Sequence, residues 1–145
     1  MQADLVKLAH NELEYLAADM PGGEEAVLQH ILEGQARLVV VTDGAATLQW
    51  RTREARGEVP AFLVRAVDTT AAGDAFVGGV LFRLAQCGVY GDAFADFVSD
   101  SAAISEALRF GAAVGALAVT RQGAFAAMPT YAEVDALLED SHDHA

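Results

Sequence analysis

The chain has 145 residues, 53% of them hydrophobic and 21% charged, which is enough apolar material for the core of one domain and too much for a disordered chain. Its 9 basic residues stand against 21 acidic ones, a formal charge of −12, and such a surface argues against a nucleic-acid or anionic-membrane partner. The single cysteine, Cys87, can close no internal disulfide and is expected to pack as a small hydrophobe.

The opening Met1-Gln2-Ala3-Asp4 carries no basic region ahead of an apolar stretch, so no export signal is expected. The longest apolar run, Phe110 to Val119, is about half of the roughly 20 residues that a bilayer span needs. A soluble, cytoplasmic protein is the expectation.

In chain order, Asp4 to Leu8 reads as a strand, and Asn11 as the N-cap of a short helix through Leu16. Met20-Pro21-Gly22-Gly23 breaks that helix, and a second covers Glu24 to Glu33, stopped by Gly34. Arg37 to Thr42 is a β-branched run suited to a strand buried on both faces. Asp43-Gly44 is a turn; Thr47–Thr52 and Val59–Val67 look extended. Gly73 to Gln86 reads as a helix. The segment from Asp96 to Ser101 separates two further helical stretches, the second from about Ala103 to Val119. A last helix, Tyr131 to Glu139, follows Thr130 as its cap, with Glu133 in the third position. Residues 140–145, with His142 and His144, read as a frayed tail rather than a metal site. Alternation of strands and helices gives an α/β class with a mostly parallel sheet, in one domain over residues 1–139.

The segment most able to carry chemistry is Asp68-Thr69-Thr70-Ala71-Ala72-Gly73-Asp74-Ala75-Phe76. It follows an extended stretch and opens a helix. The small residues Ala71, Ala72 and Gly73 leave backbone amides uncovered where the helix dipole favours an anion. Asp74 sets a carboxylate beside them. An anion hole next to a base is what transfer of a phosphoryl group to an alcohol requires. Taken alone, an aspartate at a helix start is more commonly a cap. Neither G-x-x-x-x-G-K-[ST] nor G-x-G-x-x-G occurs in the chain.

Asp68 to Gly79 resembles the D-T-x-G-A-G-D-x-F signature of the ribokinase-like (PfkB) carbohydrate kinases, and among them the bacterial fructokinases. Three further segments agree in order and spacing: Asp4–Leu8 with Glu12; Val39-Val40-Val41-Thr42-Asp43-Gly44; and Ala107–Ala112 through Ala118–Ala124 to Met128-Pro129-Thr130. The resemblance implies a ribokinase-like α/β/α fold and transfer of the γ-phosphoryl of ATP to a sugar hydroxyl, fructose to fructose 6-phosphate. It assigns Asp74 as the base and the amides of Ala71, Ala72 and Gly73 as the anion hole. Thr42, Asp43, Gly44, Gly111 and Ala112 fall at the nucleotide site. Glu12 matches an acid that organises Mg²⁺ through water. Asp68, Thr70, Ala118, Arg121 and Gly123 match a monovalent-cation (K⁺) site. Close helix packing is the competing role for Gly111 and Gly115.

The chain departs from the family pattern at several positions. Ala71 replaces the first glycine of G-A-G-D, at a cost on the order of 1 kcal/mol if that position needs positive φ. Ala9 replaces the asparagine before the acidic residue, Thr47 replaces a glycine of the nucleotide loop, and no Asn or His stands near Ala112. The largest departure is length, since the resemblance is to the C-terminal half only. A half of that kind exposes a sheet edge and an apolar face, so pairing with an N-terminal half or self-association is expected. The expected partners are ATP or ADP, and a fructose-like sugar in the complete enzyme. The alternatives to a kinase fragment, inactive alone, are a nucleotide-binding module and a non-catalytic remnant.

Overall fold

The structure, a computed structural model, describes residues 3–142. Its elements in order are β1 (Leu5–Ala9), α1 (His10–Ala17), α2 (Gly23–Glu33), β2 (Leu38–Thr42), β3 (Leu48–Arg51), β4 (Arg56–Val59), α3 (Ala72–Gln86), α4 (Ala93–Val98), α5 (Ser101–Val119) and α6 (Tyr131–His142). Contacts gather in two compact units: Met1–Pro60 with Phe94–Ser105, and Ala61–Ala93 with Glu106–Ala145.

The first unit holds a four-stranded sheet in the order β1-β2-β3-β4. β1 and β2 are parallel, with Leu5 opposite Leu38 and Ala9 opposite Thr42, and α1 and α2 form the crossover between them. The sheet is mixed rather than mostly parallel, because β2–β3 and β3–β4 are antiparallel. Residues 43–47 and 52–55 are too short for a crossover and long enough for a hairpin. The β-branched run behaves as expected: Leu38, Val39, Val40 and Val41 are all buried. On one face Val6 and Val39 pack with Leu32 and Ala36. Beside them Leu13 of α1 and Val27 of α2 close over Val41. Trp50 is only 3% exposed, its ring lying over Gly57, its partner on β4. A Cβ at Gly57 would stand 2.6 Å from the indole, so the strand pair needs that glycine.

The second unit is helical. Ala75, Phe110, Ala113, Val114, Ala118 and Val134 make its core, flanked by Phe62, Leu117, Leu137 and Leu138. α3 and α5 approach closely where both lack side chains. A Cβ on Gly79 would lie 2.8 Å from Val114 Cγ2, and one on Gly111 would lie 2.4 Å from Val80 Cγ2 and 2.9 Å from the Phe76 carbonyl.

Several boundaries differ from the sequence expectation. α1 starts at His10, not after an Asn11 cap; Ala9 is the cap residue, and its amide donates to Glu12 Oε2 at 2.7 Å. Glu12 thus satisfies the helix start from its third position, and Asn11 lies inside the helix. The extended stretch from Val59 to Val67 is instead β4 at Arg56–Val59, ended by Pro60, which has no N–H to pair. Asp96 lies within α4 rather than after it. α5 begins at Ser101, because Asp100 Oδ1 accepts from the amides of Ala102 and Ala103 at 2.9 and 3.1 Å. Cys87 is exposed at the end of α3, not packed. α6 continues to His142, so Asp140, Ser141 and His142 are helical rather than a tail; His144 lies outside the described residues. α5, at 19 residues, is long and apolar enough to cross a membrane by length and composition, beyond the ten-residue run read from sequence. Half of its apolar window is buried inside the protein, which makes it a core helix.

Candidate functional site

The turn ahead of α3 is built on Asp68. Its Oδ1 accepts from the Thr70 amide at 3.0 Å and the Thr70 hydroxyl at 2.6 Å. Its Oδ2 accepts from the Gly123 amide at 3.2 Å. These bonds, the hydroxyl first, hold the Asp68 carboxyl below the usual carboxylate range. The Val119 carbonyl at the end of α5 anchors the same turn, accepting from the amides of Val67 and Asp68 at 2.6 and 3.1 Å. That anchor joins residues fifty apart and has no local sequence signal.

α3 then begins. Ala71 is its N-cap residue at φ −106° and ψ 11°. Among the described residues no non-glycine residue has positive φ, so alanine in place of the family's glycine carries no backbone strain here. The Ala72 amide donates to the Thr69 carbonyl at 3.2 Å and that of Ala75 to Ala71 at 2.9 Å. Among the described residues, the amides of Ala71, Gly73 and Asp74 have no backbone acceptor. Asp74 is the third residue of α3, exposed, with no hydrogen bond or ion pair among the described residues. One carboxylate and a set of open amides therefore share the N-terminus of a 15-residue helix, an arrangement able to hold an anion and to take a proton.

The structure brings Asp68, Thr70 and Gly123 together. Ala118 and Arg121 meet each other instead, the Arg121 amide lying 3.4 Å from the Ala118 carbonyl at the helix end. The guanidinium of Arg121 pairs with Glu133, a contact that sequence reading missed. Glu133 also accepts from the Thr130 amide at 2.7 Å. The Thr130 amide first, then Arg121 and the Thr130 hydroxyl, hold the Glu133 carboxyl down at about 2. Gly111 is buried with its bare side against α3, and Gly115 lies 3.3 Å, by its added Cβ, from the Ala72 carbonyl. Both therefore serve close helix packing; Ala112 beside Gly111 is half-buried.

In the first unit, Glu12 and Thr42 sit at the carboxyl ends of neighbouring parallel strands, since Ala9, which Glu12 caps, is opposite Thr42. Open α/β sheets bind ligands beyond that edge. Asp43 and Gly44 turn the chain there, Gly44 at φ 53° and the Asp43 carbonyl accepting from Ala46 at 2.8 Å.

The family description "pfkB family carbohydrate kinase" matches residues 1–131. The chain belongs to the pfkB family of carbohydrate kinases. It is 34% identical over 138 residues to probable fructokinase-5 of Arabidopsis thaliana, covering 95% of this chain and 40% of that protein. It resembles the crystal structure of fructokinase with bound ATP from Xylella fastidiosa at TM-score 0.90 and 51% identity, over 97% of this chain and 44% of that one. A fructokinase double mutant from Vibrio cholerae O395, in fructose, ADP and potassium ion bound form, is similar at TM-score 0.77 and 38% identity, over 94% of this chain and 41% of that one. The chain thus has the ribokinase-like α/β fold and spans about 40% of the length of the relatives it matches.

Proposed function

We propose that this chain is the phosphoryl-transfer part of an ATP-dependent fructokinase, inactive alone and completed by an N-terminal half. The observation that carries the reading is the exposed carboxylate of Asp74, unpaired among the described residues, beside the open amides of Ala71 and Gly73 at the start of α3. In the complete enzyme Asp74 takes the proton of the sugar hydroxyl as its oxygen attacks the γ-phosphorus of ATP, the bond from that phosphorus to the β,γ-bridging oxygen breaks, and ADP leaves. The amides of Ala71 and Gly73 donate to the phosphoryl oxygens as negative charge builds on them. Ala72, whose amide is engaged by Thr69, contributes shape rather than a donor. The likeness to fructokinases supports fructose as the acceptor, with fructose 6-phosphate as the product.

Thr42, Asp43 and Gly44, at the carboxyl end of β2, would line the nucleotide. Glu12 keeps one carboxylate oxygen clear of the Ala9 amide, and an oxygen donor of this kind suits Mg²⁺ held through water. By the family likeness the oxygens of Asp68, Thr70, Ala118, Arg121 and Gly123 would hold K⁺; the resemblance to a potassium-bound fructokinase supports the ion. Mg²⁺ supplies charge neutralisation on the phosphates. The expected setting is the cytoplasm. The free edge of β1, the sheet's first strand, is the surface through which an N-terminal half or a second copy of this chain would pair.

Complementation tests the reading. The N-terminal half of a fructokinase is mixed with this chain, and ATP-dependent fructose phosphorylation is followed. Activity that Asp74→Asn removes supports it. Activity surviving in Asp74→Asn, or equal phosphorylation without this chain, overturns it.

A further inference from the structure

His10 is the first residue of α1, and Glu14 lies one turn on, so both project from one side of the helix. Their side chains approach to 3.6 Å, Nε2 to Oε1, and are 41% and 60% exposed. Glu24, the second residue of α2, faces the same point from another helix, and the ligand atoms of all three lie within 4.8 Å of one another. The approach is held from below and from the side. Leu13 of α1 and Val27 of α2 share a buried cluster with Val41. The connection is tight: Gly22 at φ 95° and Gly23 at φ 64° turn the chain, and the Gly23 amide donates to the Met20 carbonyl at 3.0 Å.

We propose that His10, Glu14 and Glu24 bind one divalent transition cation of the zinc type, which pins the start of α2 to α1. One imidazole nitrogen and two carboxylate oxygens are a borderline donor set, matched to Zn²⁺ rather than to the all-oxygen shells of Mg²⁺ or Ca²⁺. Zinc bonds of about 2.0–2.2 Å put neighbouring ligand atoms roughly 3.3 Å apart, and the glutamates' free rotamers close the remaining gap. Two carboxylates facing each other repel, and a dication between them removes that repulsion. The fourth position stays open to water. This site is separate from Glu12, which lies about 200° round α1 from His10 by helical geometry and whose Oε2 is held by the Ala9 amide. It does not rest on the kinase reading.

The test is calorimetric titration of the full chain with Zn²⁺ in a non-chelating buffer, beside Co²⁺ absorption. One ion per chain and visible bands of a low-coordinate Co²⁺ centre are expected. His10→Ala and Glu24→Gln should each weaken Zn²⁺ binding by roughly tenfold or more, the scale on which one lost ligand counts. Zn²⁺ should raise the thermal midpoint of the unsubstituted chain and not that of His10→Ala. Unchanged affinity in both variants, or loss of binding in His142→Gln/His144→Gln instead, overturns the site. Absence of binding at millimolar Zn²⁺ overturns it too.

Discussion

The Gly123 amide donates to Asp68 Oδ2 across 55 residues of sequence, at 3.2 Å. Through that bond one carboxylate ties the loop after α5 to the turn that launches α3. Its other oxygen holds Thr70 twice. The turn that leads into the open amides is therefore held by the Asp68 side chain.

Replacing Asp68 with alanine should free both loops at once. Amide exchange at Thr70 and Gly123 should quicken together, while the sheet of the first unit keeps its protection. Hydrogen-exchange mass spectrometry reads this; unchanged exchange at Gly123 would show that the bond does not hold the loop.

The Asp68 carboxyl is depressed by the Thr70 hydroxyl, then by the amides of Thr70 and Gly123. A folded-state value below the unfolded one means that the stabilisation is fully present above the unfolded value of 3.8. It is lost as pH falls through the lower folded value. An NMR titration of the Asp68 carboxyl carbon should give a midpoint below 3.8, and Thr70→Val should raise that midpoint.

Glu133 follows the same sign over a wider window. Its stabilisation of the α6 start is complete above 4.5 and is lost as pH falls towards about 2. Its partners are the Thr130 amide and hydroxyl and Arg121. Thr130→Val and Arg121→Gln should each shift the Glu133 midpoint upward, the titration being followed by NMR.

Two glycines on facing helices should respond in opposite directions. Gly111→Ala drives a methyl to 2.4 Å from Val80 Cγ2 and 2.9 Å from a backbone carbonyl, so it should destabilise the chain by about 1–3 kcal/mol. Gly78, in α3, has nothing within 4 Å of an added Cβ. Gly78→Ala should stabilise by up to about 1 kcal/mol through helix propensity. Urea denaturation compares the two.

The end of α6 should matter to stability. Arg109 bonds His142 Nε2 at 2.9 Å, the Leu138 carbonyl at 3.3 Å and the Ser141 hydroxyl, and its guanidinium stands 5.7 Å from the Phe62 ring centre. Truncation after Glu139 removes two of those partners and should lower the thermal midpoint measurably. An unchanged midpoint would restore the reading of residues 140–142 as a tail.

The sequence by itself determined what local chemistry can encode. Leu38 to Val41 form a doubly buried strand because four consecutive apolar side chains leave no face for water. The Thr130–Glu133 box starts α6 because both partners lie within one turn. The D-T-T-A-A-G-D segment carries its family likeness in consecutive residues. Tertiary structure alone decided the mixed sheet and the commitment of Gly111 to packing against Val80. It also decided the anchoring of the Asp68 turn by Val119 and Gly123. Those outcomes depend on which distant atoms come within bonding or van der Waals reach. A periodicity of two or 3.6 residues says which side of an element is apolar, but not what will lie against it.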